Sequence, residues 1–214
     1  MTKLAFSIFG VLFAVAVHSA AAQTASKLYV RVDAGGSFPT GSDLDGFDPS
    51  AVVGAGVGIK ILPFLRTDIT ASYRPSYAGS ATVDGILEKS EIKNLSGFLN
   101  AYFDIPTGPF PLTPYVGAGV GIARNELGTT TATNGVSTVA IAGTTQTNLA
   151  FQLMGGVSFP IFVGTALDFS YHYLDAGQFK TSTNATLNGV PVALAASSGR
   201  LRAHEVQIGL RVGF

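Results

Sequence analysis

HEVQIGLRVGF, residues 204–214, is the stretch on which the reading turns. From Val206 every second residue is apolar: Val206, Ile208, Leu210, Val212 and Phe214. Between them stand Glu205, Gln207, Gly209 and Arg211. Strict alternation is the mark of a strand with one apolar face. Chain ends of soluble domains are usually loose, yet here the pattern runs to the last residue. The expectation is a last strand that pairs with the first, so that no strand edge is left open.

The same period recurs upstream at 28–34, 53–59, 67–73, 95–103, 116–122, 149–157 and 165–173. Eight segments result, each near the 9–11 residues that cross a bilayer at a tilt of about 45°. The connections alternate in kind. Those near Leu62-Pro63, 105–113 and Pro160-Ile161 are short; those at 39–50, 75–91, 125–147 and 175–199 are long and polar. Short turns on one rim and long loops on the other are the pattern of a bacterial membrane barrel, with short turns in the periplasm and long loops outside the cell. An even strand count puts both chain ends on the short-turn side.

VGAGVGI occurs at 53–59 and again at 116–122. Neither copy fits a phosphate-binding G-x-G-x-x-G, and no helical pattern follows. Volume explains these glycines better. An eight-stranded barrel is only just wide enough to be filled by side chains, so inward glycines leave room for Arg66, Arg74, Phe98, Tyr102 and Met154.

Composition agrees with a membrane destination. Charged residues make up 12% of the chain, about half the share of an ordinary soluble domain. Lys plus Arg (13) equals Asp plus Glu (13), which argues against a nucleic-acid partner. With no cysteine, disulfides, thiolate catalysis and thiolate metal sites are excluded. Residues 1–22 carry one Lys, an apolar run from Leu4 to Val17 and an Ala20-x-Ala22 site. That is the layout of a cleaved signal peptide, which leaves 23–214 as the barrel domain.

Charge placement orients the faces. Arg31, Lys60, Arg66, Arg74 and Arg211 share the polar faces with Asp33, Asp68, Asp104, Asp168 and Glu205. Equal numbers suit an enclosed interior, where each buried charge needs a partner. With Gln152, His172 and Gln207 these residues are expected to form a polar network inside the barrel, while the apolar faces meet lipid. Aromatics gather near the strand ends: Phe103, Phe159, Phe162 and Phe214 on the turn side, and Phe38, Tyr73, Tyr171 and Tyr173 on the loop side. Membrane barrels carry such girdles.

LNAYFDIP at 99–106, TPYVGAGVGIA at 113–123 and HEVQIGLRVGF at 204–214 resemble the outer-membrane β-barrel family of opacity-type porins and small alphaproteobacterial surface antigens. The likeness covers about 24–214. It implies a Gram-negative outer-membrane protein, a closed antiparallel eight-stranded transmembrane barrel with variable outer loops. The C-terminal residues Ile208, Leu210, Val212 and Phe214 also resemble the signal read by the barrel assembly machinery.

Other chemistry is weaker. Ser170 and His172 share a face with Asp168, but i, i+2 neighbours on a strand are about 7 Å apart, too far for a direct Ser–His bond, so an interior network is expected instead of a hydrolase. Asp43, Asp45 and Asp48 lie in an acidic turn, at a spacing that could hold Ca²⁺, without the distal Glu of a full loop motif. No cofactor is expected. Expected partners are outer-membrane lipids and lipopolysaccharide, the assembly machinery, and surface or host ligands at the loops. The function read from this is structural and surface-exposed: membrane integrity, adhesion or host contact. A narrow channel for small solutes is the runner-up; a lipid A-modifying enzyme and a secreted lipocalin-like binder come behind it.

Overall fold

A computed structural model describes residues 27–83 and 86–214; the expected signal peptide, 1–22, lies outside the described residues. Twelve strands form one antiparallel sheet. Eight are long: β1 (Leu28–Thr40), β2 (Ser50–Leu62), β3 (Leu65–Val83), β4 (Ile86–Asp104), β5 (Thr113–Leu127), β8 (Thr144–Phe162), β9 (Thr165–Lys180) and β12 (Ser198–Gly213). Four are short: β6 (Thr130–Thr133), β7 (Thr138–Ile141), β10 (Asn184–Leu187) and β11 (Val190–Ala193). A 3-10 turn spans Ser42–Leu44.

The eight long strands make a barrel-like ring. β1 pairs with β2 and β12, β3 with β2 and β4, β5 with β4 and β8, and β9 with β8 and β12. Every long strand therefore has two partners, as the absence of water in a bilayer core demands. The last strand meets the first in the register Val30↔Val212, Val32↔Leu210 and Ala34↔Ile208, and the Phe214 amide donates to the Leu28 carbonyl at 3.0 Å.

Period two places the faces, and they are inside out relative to a soluble domain. Val32, Ile69, Leu99 and Ile208 are all more than half exposed, whereas Arg66, Arg74 and Glu205 are 1% exposed or less. Water would penalise that arrangement and hydrocarbon rewards it. Exposed aromatics mark both ends of the apolar band: Phe103, Phe159, Phe162 and Phe214 at one, Phe38, Tyr73 and Tyr171 at the other. No helix among the described residues is long and apolar enough to cross a membrane.

The inward glycines meet neighbours at close quarters. A Cβ on Gly121 would sit 1.9 Å from the Gly97 carbonyl oxygen, and one on Gly58 would sit 2.3 Å from the Tyr29 ring. Tyr102 does fill the space beside Gly117; beside Gly56 and Gly119 the side chains in question are Thr70 and Asn100 rather than the larger groups expected.

Two connections differ from expectation. Segment 75–91 is a paired hairpin: the β3–β4 ladder resumes at Tyr77↔Ile92 and continues to Val83↔Ile86. The bulge between Arg74 and Tyr77 takes Pro75, which has no amide to donate, out of the ladder. The third short turn lies at Val163–Gly164, because β8 stays paired through Phe162↔Thr165.

The long connections 125–147 and 175–199 carry hairpins of their own. Asn188 (φ 48°) and Gly189 (φ 84°) make the two-residue turn between β10 and β11, both in the left-handed region that this turn requires. β6 pairs with Leu87–Lys89 of β4, β7 pairs with β6 and β10, and β10 pairs with β11. A continuous sheet thus stands above the ring on the loop side. Phe47 bridges to Gly79 and ties the first loop to it.

Candidate functional site

The interior is filled in two layers. At the loop end an apolar cluster holds Leu44, Tyr77, Ile92, Phe98, Leu174 and Leu201, with Leu127 and Phe179. Beneath it comes the polar network. Arg74 clamps Glu205 through two nitrogens at 2.6 and 3.0 Å, and gives its third to Asn94 and Ser96 at 2.9 Å each. Glu205 also accepts from Ser37 and Gln207 at 2.6 and 2.7 Å. Every member is buried, and the carboxylate is saturated with donors, which is the condition for burying a charge.

Arg31 joins two acids at mid-depth, Asp33 at 2.7 Å and Asp68 at 3.2 Å, and donates to Tyr102 at 3.0 Å. Asn100 donates to Asp68 at 2.7 Å and accepts from Gln152 at 2.8 Å. Toward the turn side Arg66 pairs with Asp104 at 2.9 Å and stacks on the Tyr102 and Tyr115 rings at 4.2 and 4.5 Å. Arg211 reaches Asp168 at 3.3 Å and Ser158 at 2.7 Å.

So the ring gathers Arg31, Asp33, Arg66, Asp68, Arg74, Asp104, Gln152, Asp168, His172, Glu205, Gln207 and Arg211 inside. Lys60 departs from this: it is exposed at the turn-side rim and makes no ion pair among the described residues. Residues that charge counting misses, Ser37, Asn94, Asn100, Tyr77 and Tyr102, supply much of the bonding. Inward parity was the available signal for all of them but Tyr77, which the bulge after Arg74 turns inward.

One expectation is corrected. Ser170 Oγ and His172 Nε2 are 2.9 Å apart, a direct hydrogen bond. The repeat of about 7 Å separates backbones; the two side chains lean toward each other and close the gap. The pair still lacks an orienting acid. His172 Nδ1 has no hydrogen-bond partner among the described residues, and Asp168 is engaged by Arg211.

The acidic turn does not converge. Asp43 accepts from the Arg200 backbone amide at 3.1 Å, and no group of three metal-ligating side chains comes together among the described residues. The turn instead borders a cleft of about 360 Å³ under the loop-side sheet, lined by Asp43, Asp45, Phe47, Glu88, Leu127 and Phe179 among others. Of the C-terminal residues, Ile208, Leu210 and Phe214 are exposed on the outer face and Val212 is half-buried.

A family model described as "Outer membrane protein beta-barrel domain" matches residues 7–214. An uncharacterized protein of Brucella suis is 31% identical over 145 residues, 58% of this chain and 51% of its own length; the chain spans about half the length of that relative. A candidate adhesin of Rickettsia conorii is 31% identical over 166 residues, 73% of this chain and 64% of its own. Among solved structures, Neisserial surface protein A superposes with a TM-score of 0.56 at 19% identity, covering 87% of this chain and 97% of that one. That likeness concerns the fold.

Proposed function

The chain belongs to the outer membrane protein β-barrel domain family and is a Gram-negative outer-membrane protein, and from that premise we propose that it is a closed, non-conducting barrel that displays a loop-side sheet for adhesion or host contact. The observation that carries this reading is the division of labour in the fold. The interior is packed with Arg74, Tyr77, Ile92, Leu174 and Leu201, each 1% exposed or less. The accessible, low-charge surface lies in the β6–β7 and β10–β11 hairpins, and rigid scaffolds commonly carry recognition on such connections. The candidate adhesin among the relatives points the same way.

In this reading the short turns and both chain ends face the periplasm, 1–22 is a cleaved signal, and Ile208, Leu210, Val212 and Phe214 are presented to the assembly machinery before β12 pairs. Because the chain has no native cysteine, topology is open to a clean test. A single cysteine at Val136, 89% exposed at a hairpin tip, should react with an impermeant maleimide on intact cells. One at Val163, fully exposed at a short turn, should react only after lysis. Labelling of the reverse pattern would invert the orientation. Function is tested by deleting 129–143 and 182–197 together: binding to host cells should fall while the protein still runs faster unboiled than boiled in SDS gels, as kinetically stable barrels often do.

A further inference from the structure

Outward-facing charge is rare on this barrel, so where it occurs its placement is informative. Arg200, Arg202 and His204 occupy three successive outward positions on β12, directly above the apolar row Val206, Ile208, Leu210. Their partners on β9 are Gln178, Asp175 and Tyr173. The pairing skips between Arg200 and Arg202, where β9 bulges at Gly177. That residue has φ 76°, which a side chain would strain. Asp175 faces outward by the same alternation as Tyr171 and Tyr173, the bulge beyond it brings the Gly177 amide onto its carboxylate, and that carboxylate is 3% exposed beneath two guanidiniums.

The bonding is asymmetric in a telling way. Arg200 and Arg202 both contact Asp175 through Nε, at 2.9 and 3.3 Å, and the Gly177 amide donates to it at 3.0 Å. No described partner takes any Nη group of either arginine. Two guanidiniums are thus held side by side by one carboxylate, about 40% exposed, with their terminal donors facing out and a net positive charge left over. Tyr171 and Tyr173 flank His204 at ring distances of 5.8 and 5.5 Å and form the aromatic border below. Asp43 touches only the Arg200 backbone amide.

Height fixes the environment. Arg202 stands twelve residues from Phe214, about 40 Å of strand, or about 30 Å of height at a tilt of about 40°. The apolar band of such barrels is about 25 Å tall, so the pair sits at headgroup level. The other cationic patch at this height is neutralised: Lys93 stands opposite Glu126 and beside Glu91, next to Arg124.

We infer that Arg200 and Arg202, preset by Asp175 and the Gly177 bulge, bind the phosphate of a lipid headgroup in the leaflet on the loop side. Paired guanidiniums suit phosphate because each offers two parallel donors to its oxygens. The leaflet assignment rests on the orientation proposed above, but binding in detergent does not, so the two fail separately.

The test is native mass spectrometry of the full barrel in detergent with diphosphorylated lipid A added. The wild type should retain lipid, and Arg200→Gln/Arg202→Gln should retain about tenfold less. Lys93→Gln/Arg124→Gln should bind as the wild type does, and dephosphorylated lipid should bind weakly to all. If the double variant fails to show the boiled-against-unboiled gel shift, Arg202→Gln alone, which leaves the Arg200–Asp175 pair intact, takes its place with a loss of about threefold. Equal retention by wild type and variant overturns the site. Displacement of the lipid by about 10 mM inorganic phosphate overturns the lipid as its source.

Discussion

The two ends of the barrel interior solve the same problem, burying arginine, in different ways. At the loop end Arg74 has every donor nitrogen occupied, and apolar side chains from Leu44 to Leu201 lie above it. At the turn end Arg66 Nη1 and Nη2, Arg211 Nη1, Asp168 Oδ2 and the Tyr115 hydroxyl have no partner among the described residues. Buried polar groups do not stay unpaired without cost. The Arg74–Glu205 pair lies beneath apolar side chains, whereas the turn end leaves several buried donors and acceptors without a protein partner. That difference supports the proposed reading of a barrel plugged at its loop end.

The largest expected effect comes from breaking the Arg74–Glu205 pair. Arg74→Ala leaves Glu205 buried and uncompensated, which costs about 3–5 kcal/mol. Arg74→Met with Glu205→Leu should recover most of that, because well-packed apolar replacements of a buried pair are often neutral. Urea titration of the refolded barrel measures both. A cost below about 1 kcal/mol for Arg74→Ala would mean that water reaches this end.

A smaller loss is expected from Arg66→Ala. Its partner Asp104 is partly exposed, so water takes over part of the bonding, and the loss of stacking on Tyr102 and Tyr115 contributes about 1 kcal/mol. A total of about 1–2 kcal/mol keeps the ends distinct; parity with Arg74→Ala would erase the distinction. Conductance sharpens the comparison from another side. The wild type should show no steady openings in planar bilayers. A triple change of Ile92, Leu174 and Leu201 to Gly, which empties the plug, should produce small ones.

How much of the fold is legible in the sequence depends on what period two encodes. It gives the face of each residue, so the inward positions of Arg31, Asp68, Arg74, Gln152 and Glu205 follow from parity alone. It does not give register around the ring. That Arg74 finds Glu205, 131 positions away, depends on strand stagger. Register was equally needed to see the hairpin over 75–91, where a bulge at Pro75 resets the ladder. The Gly177 bulge is the clearest case: Phe179 shares the parity of the outward Tyr173 and Asp175, yet it is buried in the apolar cluster because the ladder resets between Asp175 and Gln178. Side-chain lean is a third hidden variable, and it closed the gap between Ser170 and His172.

That pair supplies the smallest predicted effect. A serine hydroxyl at 2.9 Å from an imidazole nitrogen is also how an acyl-transfer site begins. What a nucleophile needs next is a base held by an acid, and here Nδ1 of His172 has no such partner while Asp168 is spent on Arg211. Both groups are buried inside the ring, on the far side of the strand wall from any lipid acyl chain. Ser170→Ala should therefore remove one ordinary hydrogen bond, about 0.5–1.5 kcal/mol, and leave the mass spectrum of lipid A from expressing cells identical to that of cells carrying the wild type. A lipid mass change that appears with the wild type and vanishes with Ser170→Ala would turn this interior filler into a catalytic pair, and the turn end into the route by which substrate reaches it.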